Sequence, residues 1–356
     1  MKICLCVGTR PNFVKAAPLI RAFKKHNVCC YKLIHTGQHY DYNMAGIFFE
    51  ELGIPKPDVN LSVISKNDSH VEQIAHIMQS FQLYCEGYKP DIVVVLGDVN
   101  STLACALTTN IMNIKLAHIE AGERCGDDNM VEERNRKLVD SISDYLFCAS
   151  ERGLDNLINE GMSGKAHLVG NTMIDQLKYI QPLIQITEQK EPYAILTLHR
   201  AENVDDLEKL RKIWDIILKI SEKIKVVFPC HPRTKKQFGK MGFLPIRNNI
   251  LFKKPLSYLE FMKLVNNAKL VLTDSGGLQM ETSYLNEPCI TLRKSTEWLE
   301  TVSHGTNVIA GINEDIINVS INSILNGKWI QSMIKYNSLH NGKAAERVVE
   351  ILKKGE

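Results

Sequence analysis

The sequence predicts an α/β protein of two domains, each a parallel sheet flanked by helices. Three observations carry that reading. Short apolar, β-rich runs alternate with helical patterns along the chain, the signature of βαβ units. The alternation comes in two series, separated by a polar stretch at residues 185–190 that reads as a surface linker. The length, 356 residues, suits two domains better than one. The expected architecture is therefore two Rossmann-like domains with parallel sheets, facing a cleft. In such sheets ligands bind outside the carboxyl ends of the strands, so the residues just after each strand are the ones to inspect.

In the first series, strands are expected at residues 2–7, 31–34, 91–96, 115–119, 145–148 and 166–169. Helices lie between them, clearest at 14–25 and 103–112, each just after a strand and a turn. Residues 171–191 are helix-forming but turn polar towards their end. The second series has strands at 193–198, 225–228, 250–252, 270–272 and 288–292, with helices at 205–219, 258–267 and 278–285. An amphipathic helix at about 342–354 closes the chain. The expected domains are residues 1–172, joined by 338–356, and residues 173–337.

Composition excludes several classes. The hydrophobic fraction of 44% and charged fraction of 23% are ordinary globular values. A net charge of +3 is too weak to argue for nucleic acid or an anionic membrane surface. No stretch approaches the roughly 18 apolar residues of a membrane span. The apolar start of the chain is too short for a signal peptide and ends at Gly8-Thr9-Arg10-Pro11. The ten cysteines include no CxxC, and Cys4, Cys6, Cys148, Cys230 and Cys289 fall in or beside strand-like runs. They read as reduced, buried thiols rather than as disulfides or metal ligands, which implies the cytoplasm.

The strand ends carry the candidate chemistry. After the first strand, Arg10 and Lys15 lie near a helix start, where backbone N–H groups already favour an anion. The turn fits neither GxxxxGK[ST] nor GxGxxG, so ATP and NAD gain no support. Asp98 follows the run DIVVVL and reads equally well as an N-cap. Glu120 ends an apolar run, a poor place for a merely solvated carboxylate, and Glu132 opens a charged stretch that alone reads as a solvated helix face. Together Asp98, Glu120 and Glu132 could converge, and convergent carboxylates make acid–base chemistry possible. In the second series, strands run into His199, into His231, into Ser275-Gly276-Gly277 and into Arg293. A Ser-Gly-Gly at a helix start is a good phosphate cradle.

The stretches GTRPNFVK, TGQHYDYNM, GDVNSTLA, HIEAGERCGDDNMVEERNR, TLHRAENVDD, FPCHPRT, TDSGGLQMET and LRKSTEWLE, in that order, resemble the non-hydrolysing UDP-N-acetylglucosamine 2-epimerase family. The resemblance implies a GT-B-like fold, a homodimer, a UDP-sugar in the interdomain cleft, and neither metal nor redox cofactor. It places Arg10 and Lys15 on the cations of the family's GTRPxxxK, Asp98 on its GD acid and Glu120 on its HxEAG acid. Glu132 matches the first acid of PEExNR, and His199 the histidine near the diphosphate. Ser275, Gly276 and Gly277 match the phosphate-binding SGG, and Glu281 the acid that holds the ribose hydroxyls. His231 and Arg293 join them as substrate-binding candidates. The chain departs from the family's pattern at Asn12, Glu123, Val131, Met280 and Trp298. Its HPRT and TEW variants look similar to a branch that includes epimerases of modified UDP-sugars.

The implied reaction explains the residue types. No carbonyl adjoins C2 of an N-acetylhexosamine, so its proton is not acidic in the ground state. Loosening the C1–O bond acidifies it. A base removes the proton as UDP leaves, and re-addition of UDP with protonation from the other face inverts C2. Carboxylates are needed at C2, for which Asp98, Glu120 and Glu132 are the candidates; Asp98 is expected as the first base, although the sequence does not separate it from the other two, with Lys15 as an electrostatic partner and cations at the leaving diphosphate. The product would feed polysaccharide precursor synthesis. A glycosyltransferase of the same fold, or a hydrolysing epimerase, are the rival readings. The segment Gln38-His39 reads as a pocket contribution or as a plain loop.

Overall fold

The computed structural model of the chain describes residues 1–28, 30–37, 49–61, 69–185, 191–242, 249–329 and 338–355. The expected linker, apart from Gln185, and the Gln38-His39 segment lie outside these residues. The chain divides into one unit of Met1–Tyr179 with Tyr336–Glu356, and a second of Ile180–Lys335.

The first unit runs β1 (Ile3–Val7), α1 (Arg10–Lys25), β2 (Tyr31–His35), β3 (Val59–Asn60), α2 (His70–Tyr88), β4 (Ile92–Leu96), α3 (Asn100–Ile111), β5 (Lys115–Ala121), α4 (Val131–Ile142), β6 (Tyr145–Cys148), α5 (Glu151–Asn159), β7 (Ala166–Leu168) and α6 (Thr172–Ile180). Its sheet has the order β3-β2-β1-β4-β5-β6-β7, and every pair is parallel. All five residues of β4 are buried, as a strand covered by helices on both faces requires. Four of the thiols, Cys4, Cys6, Cys85 and Cys105, sit in this core beside Ile77, Phe81 and Val93. Burial pushes the Cys85 thiol up to about 12, so it stays neutral and packs as a small hydrophobe.

The second unit runs β8 (Tyr193–Thr197), α7 (Ala201–Val204), α8 (Leu207–Ser221), β9 (Lys225–Pro229), α9 (Pro232–Lys240), β10 (Ile250–Lys253), α10 (Tyr258–Val265), β11 (Leu270–Thr273), α11 (Gly276–Leu285), β12 (Cys289–Thr291), α12 (Leu299–Ser303), β13 (Asn307–Ile309) and α13 (Glu314–Leu325). Its sheet order is β10-β9-β8-β11-β12-β13, again all parallel. The core centres on Trp214, whose ring meets Phe238 edge-on at 4.9 Å. The α/β class with parallel sheets is thus the one that the sequence predicts. Among the described residues no helix is long and apolar enough to cross a membrane.

The closing helix α14 (Ala344–Lys354) belongs to the first unit. Its start lacks a cap of its own at Lys343. Asp175 on α6 supplies one, its Oδ2 accepting from Ala345 N at 2.8 Å. Arg21 on α1 donates to Gln176 Oε1 at 2.7 Å, so α6 is fastened on both sides and the chain leaves this unit seven residues later than expected.

Asp175 also yields a pH prediction. Burial raises its carboxyl to about 6; the amides of Ala345 and Ala344 and the charges of Arg347 and Arg21 offset only part of that. The folded state therefore binds the proton more tightly than the unfolded chain. Stability falls as pH rises from about 4 to 6, and the cost is fully present above pH 6. Two pH units at about 1.4 kcal/mol each put the cost at up to about 3 kcal/mol. Asp175→Asn keeps an acceptor for Ala345 N and is expected to be more stable than the wild type at pH 7.5. Urea titrations are expected to show that advantage shrinking towards zero near pH 4.

Candidate active site

In the first sheet the strand order reverses between β1 and β4, the place where open α/β sheets take their ligands. The residues after β1, β4 and β5 meet there. Lys15 Nζ donates to Glu120 Oε1 at 2.7 Å, with side chains only 9% and 12% exposed. Glu120 occupies a register break in β5 between Ile119 and Ala121 and has φ +70°, a left-handed conformation rare outside glycine. A bulge re-aims one side chain at a sheet rim. Burial raises the Glu120 carboxyl above its usual range; Lys15 and Arg136 pull it back, and the charge of Asp98 adds to the rise. Asp98 is ion-paired to Arg136 Nη2, and the other arm of that guanidinium holds Glu133 Oε2 at 2.6 Å. The site so contains one carboxyl pushed towards carrying a proton and another held against a guanidinium, the separation that acid–base work needs.

The backbone around these acids is fixed from behind. Asn12 Oδ1 accepts from Gly8 N and Thr9 N, both at 3.1 Å, and its Nδ2 donates to Leu96 O at 3.0 Å. This departure from the family pattern thus ties the turn after β1 to the end of β4. With Pro11 in the first turn, α1 begins at Arg10, four residues before the expected start. His118, fully buried, spans Asp140 Oδ1 at 2.7 Å and Gly97 O at 2.8 Å. Asp140 Oδ2 also accepts from Gly122 N at 3.1 Å and pairs with Arg124 at 2.8 Å.

The second sheet reverses between β8 and β11. Asp274, fully buried after β11, accepts from His199 N at 3.0 Å and Arg200 N at 2.9 Å. His199 Nδ1 lies 3.3 Å from Asp274 Oδ1, and the side chain is 36% exposed. Burial and the cations Arg200, Arg233 and Arg293 lower the pKa of this ring, against the pull of Asp274. The His231 ring centroid is 5.6 Å from that of His199, and its Nδ1 accepts from Arg233 N at the start of α9. Ser275 is the N-cap residue of α11 but makes no side-chain cap bond.

Several expected residues occupy other surroundings. Arg293 is buried and pairs with Glu297 at 3.0 Å, and a Cβ on Gly276 would lie 1.9 Å from Glu297 Oε1. Gly276 is therefore needed because a carboxylate packs against the start of α11. Glu132 is half-exposed in the first turn of α4, whereas its neighbour Glu133 is fully buried. Glu133 accepts from Cys125 N and Gly126 N, which, with Arg136, outweigh burial and hold its carboxyl below the usual range. Arg10 is half-buried at the start of α1, and Glu281 is buried on α11. Glu123, the extra acid, is turned into the protein, accepting from Ser150 Oγ at 2.7 Å. Sequence reading missed Arg136, His118, Asp140 and Asp274. The positions of Arg136, His118 and Asp274 inside quoted motifs could have flagged them; Asp140 lies outside every one.

Fold and clusters together define the class, a parallel α/β enzyme with its reactive groups at the carboxyl ends of its strands. The chain belongs to the UDP-N-acetylglucosamine 2-epimerase family, whose model matches residues 21–353. A UDP-N-acetylglucosamine 2-epimerase of Methanocaldococcus jannaschii is 42% identical, with 100% of both chains covered. A UDP-2,3-diacetamido-2,3-dideoxy-D-glucuronate 2-epimerase of Pseudomonas aeruginosa is 38% identical over 99% of this chain and 100% of the relative. The crystal structure of the M. jannaschii UDP-GlcNAc 2-epimerase in complex with UDP-GlcNAc and UDP superposes with a TM-score of 0.93 at 41% identity, covering 100% of each chain.

Proposed function

We propose that this chain inverts C2 of a UDP-N-acetylhexosamine, interconverting UDP-GlcNAc and UDP-ManNAc or a modified pair, by eliminating UDP and adding it back. The observation that carries the reading is the pairing of Lys15 with Glu120 beside Asp98 and Arg136 at adjacent strand ends. Proton removal and delivery at one carbon need two carboxyl groups in different protonation states, and this cluster has the environments for both. Asp98, ion-paired and charged, takes the C2 proton in one direction. Glu120, whose burial favours the protonated form, delivers a proton of its own from the other face and is left as a carboxylate that Lys15 stabilises, and both acids then exchange with solvent. Glu132 completes the set of acids.

The nucleotide half of the substrate falls to His199, His231, the Ser275-Gly276-Gly277 start of α11 and Glu281, with Arg10 at the leaving diphosphate. His199, with its pKa lowered, presents a neutral ring edge that hydrogen-bonds the phosphate. The backbone N–H groups of α11 supply fixed positive ends that need no reorganisation as charge grows. Arg293 acts through Glu297, holding the carboxylate that shapes the start of α11. We take the chain to be a homodimer, as the resemblance implies, and to work in the cytoplasm, as the buried thiols suit, with a product that serves polysaccharide precursor synthesis.

The experiment is incubation with UDP-N-acetylglucosamine in D2O, followed by NMR at C1 and C2. The expected result is the UDP-manno epimer with deuterium at C2 and little free UDP. Stoichiometric release of free sugar and UDP would instead make it a hydrolysing epimerase. If no epimer and no exchange appear, the 2,3-diacetamido uronic acid analogue is the next substrate, as the P. aeruginosa relative's name suggests. Inertness towards both overturns the proposal.

A further inference from the structure

Glu281 is 5% exposed on α11. It lies five residues beyond Gly276, which at about 1.5 Å per residue is about 7.5 Å along the helix axis. That spacing matches the reach from a nucleotide's phosphates to its ribose hydroxyls, so a diphosphate at the helix start brings the vicinal diol to Glu281. A buried carboxylate can turn about its last bond, and an acceptor that turns cannot select two hydroxyls at fixed spacing. Something must lock the plane of the carboxylate.

The lock is on the neighbouring helix. Tyr258 stands at the first position of α10, whose start is set by a capping box between Ser257 and Glu260. Its hydroxyl donates to Glu281 Oε1 at 2.7 Å. An ionised carboxylate offers about four lone-pair directions. Tyr258 uses one and fixes the plane in which the rest lie. We propose that Tyr258 is a positioning residue that orients Glu281 towards the ribose 2′- and 3′-hydroxyls and so makes the enzyme select ribonucleotides over 2′-deoxyribonucleotides. The inference rests on the UDP-sugar reading, and on the ribose role that the family resemblance gives Glu281, and deepens it: it names the side chain that holds that acid in place. Burial and the Glu281 carboxylate both raise the Tyr258 hydroxyl well above its usual range, so it remains a donor throughout the working pH range.

The test is calorimetric titration of the full-length wild type and Tyr258→Phe with UDP and with 2′-deoxy-UDP. Tyr258→Phe removes one oxygen and keeps the ring. The wild type is expected to prefer UDP. The variant is expected to lose UDP affinity by about tenfold, as for one hydrogen bond to a charged group, with 2′-deoxy-UDP affinity nearly unchanged. The ratio of two affinities from one sample does not depend on the folded fraction, so partial unfolding cannot mimic the result. With substrate, KM is expected to rise and kcat to hold. A variant that keeps the wild-type ratio, whether both affinities fall equally or neither moves, overturns the role of Tyr258 alone. A wild type that binds UDP without preferring it to 2′-deoxy-UDP overturns the ribose assignment of Glu281. A wild type that binds no UDP overturns the UDP-sugar reading and this inference together.

Discussion

Asp98→Asn is expected to lower kcat by about 10²–10⁴-fold, the usual contribution of a positioned acid or base, and to slow deuterium entry at C2 to the same extent, while UDP binds as before. The substitution is close to isosteric. The amide that replaces the carboxylate still offers an oxygen to Arg136 Nη2, where Asp98 now pairs, and Arg136 keeps its bond to Glu133 at 2.6 Å. What is lost is the charge that accepts the proton. Binding is untouched because the nucleotide contacts proposed for the second unit do not involve Asp98. The loss therefore falls on kcat, the mark of an interaction made in the transition state. The measurement is single-turnover epimerisation in D2O with the C2 resonance followed by NMR. If Asp98→Asn keeps full wash-in while Glu120→Gln slows it, the two acids exchange roles. If both keep it, the acid–base assignment to this cluster is wrong.

The sequence made the strands, and so the site, legible for a physical reason. A parallel strand covered on both faces leaves an unbroken apolar run, and Ile92–Leu96 is such a run. The residues just after these runs were the candidates, and Lys15, Asp98 and Glu120 do gather at neighbouring strand ends in the first sheet. The edge strand Val59–Asn60 went unseen because two residues show no period, and Asn307–Ile309 also went unread. Helix α2 was not singled out although it has 19 residues, since only Ile77, Phe81 and Cys85 are buried and the apolar stripe is thin. In the site, what stayed hidden was pairing. Arg293 reads as a free cation until Glu297 is seen against it. Glu132 and Glu133 are neighbours in a charged run, and only the fold shows that Glu133 is the one sealed inside by two backbone amides and a guanidinium. Contacts between residues distant in sequence leave no periodic trace.

One such contact is expected to have the largest effect on stability. Asp140→Ala is predicted to cost about 3–5 kcal/mol, the range for breaking a buried ion pair by removing one partner. Asp140 and His118 are both fully buried. The single carboxylate receives His118 Nδ1 at 2.7 Å, Gly122 N at 3.1 Å and Arg124 Nη1 at 2.8 Å, so its removal strands three donors. Glu160 makes a useful contrast. It also holds Arg124, at 2.6 Å, but is 37% exposed. Water can replace it, and Glu160→Ala is expected to cost about 1 kcal/mol or less. The pH dependence separates a charge effect from a packing effect. Despite burial, His118 and Arg124 hold the Asp140 carboxyl below its usual range. A depressed carboxylate contributes stability above its unfolded pKa and loses it as pH falls through the folded value. The gap between wild type and variant in urea titrations is therefore expected to stay flat from about pH 5 to 8 and to close below about pH 4. A gap under about 1 kcal/mol at pH 7 would mean that the network relaxes or hydrates without its carboxylate. Activity is expected to fall with stability. Through His118 the carboxylate fixes Gly97 O, the carbonyl of the peptide that leads into Asp98, and directly it fixes Gly122 N, two residues past Glu120. The same buried side chain that stabilises the sheet end thereby sets the spacing of the two acids, and a variant that still folds is expected to bind UDP normally and turn over slowly.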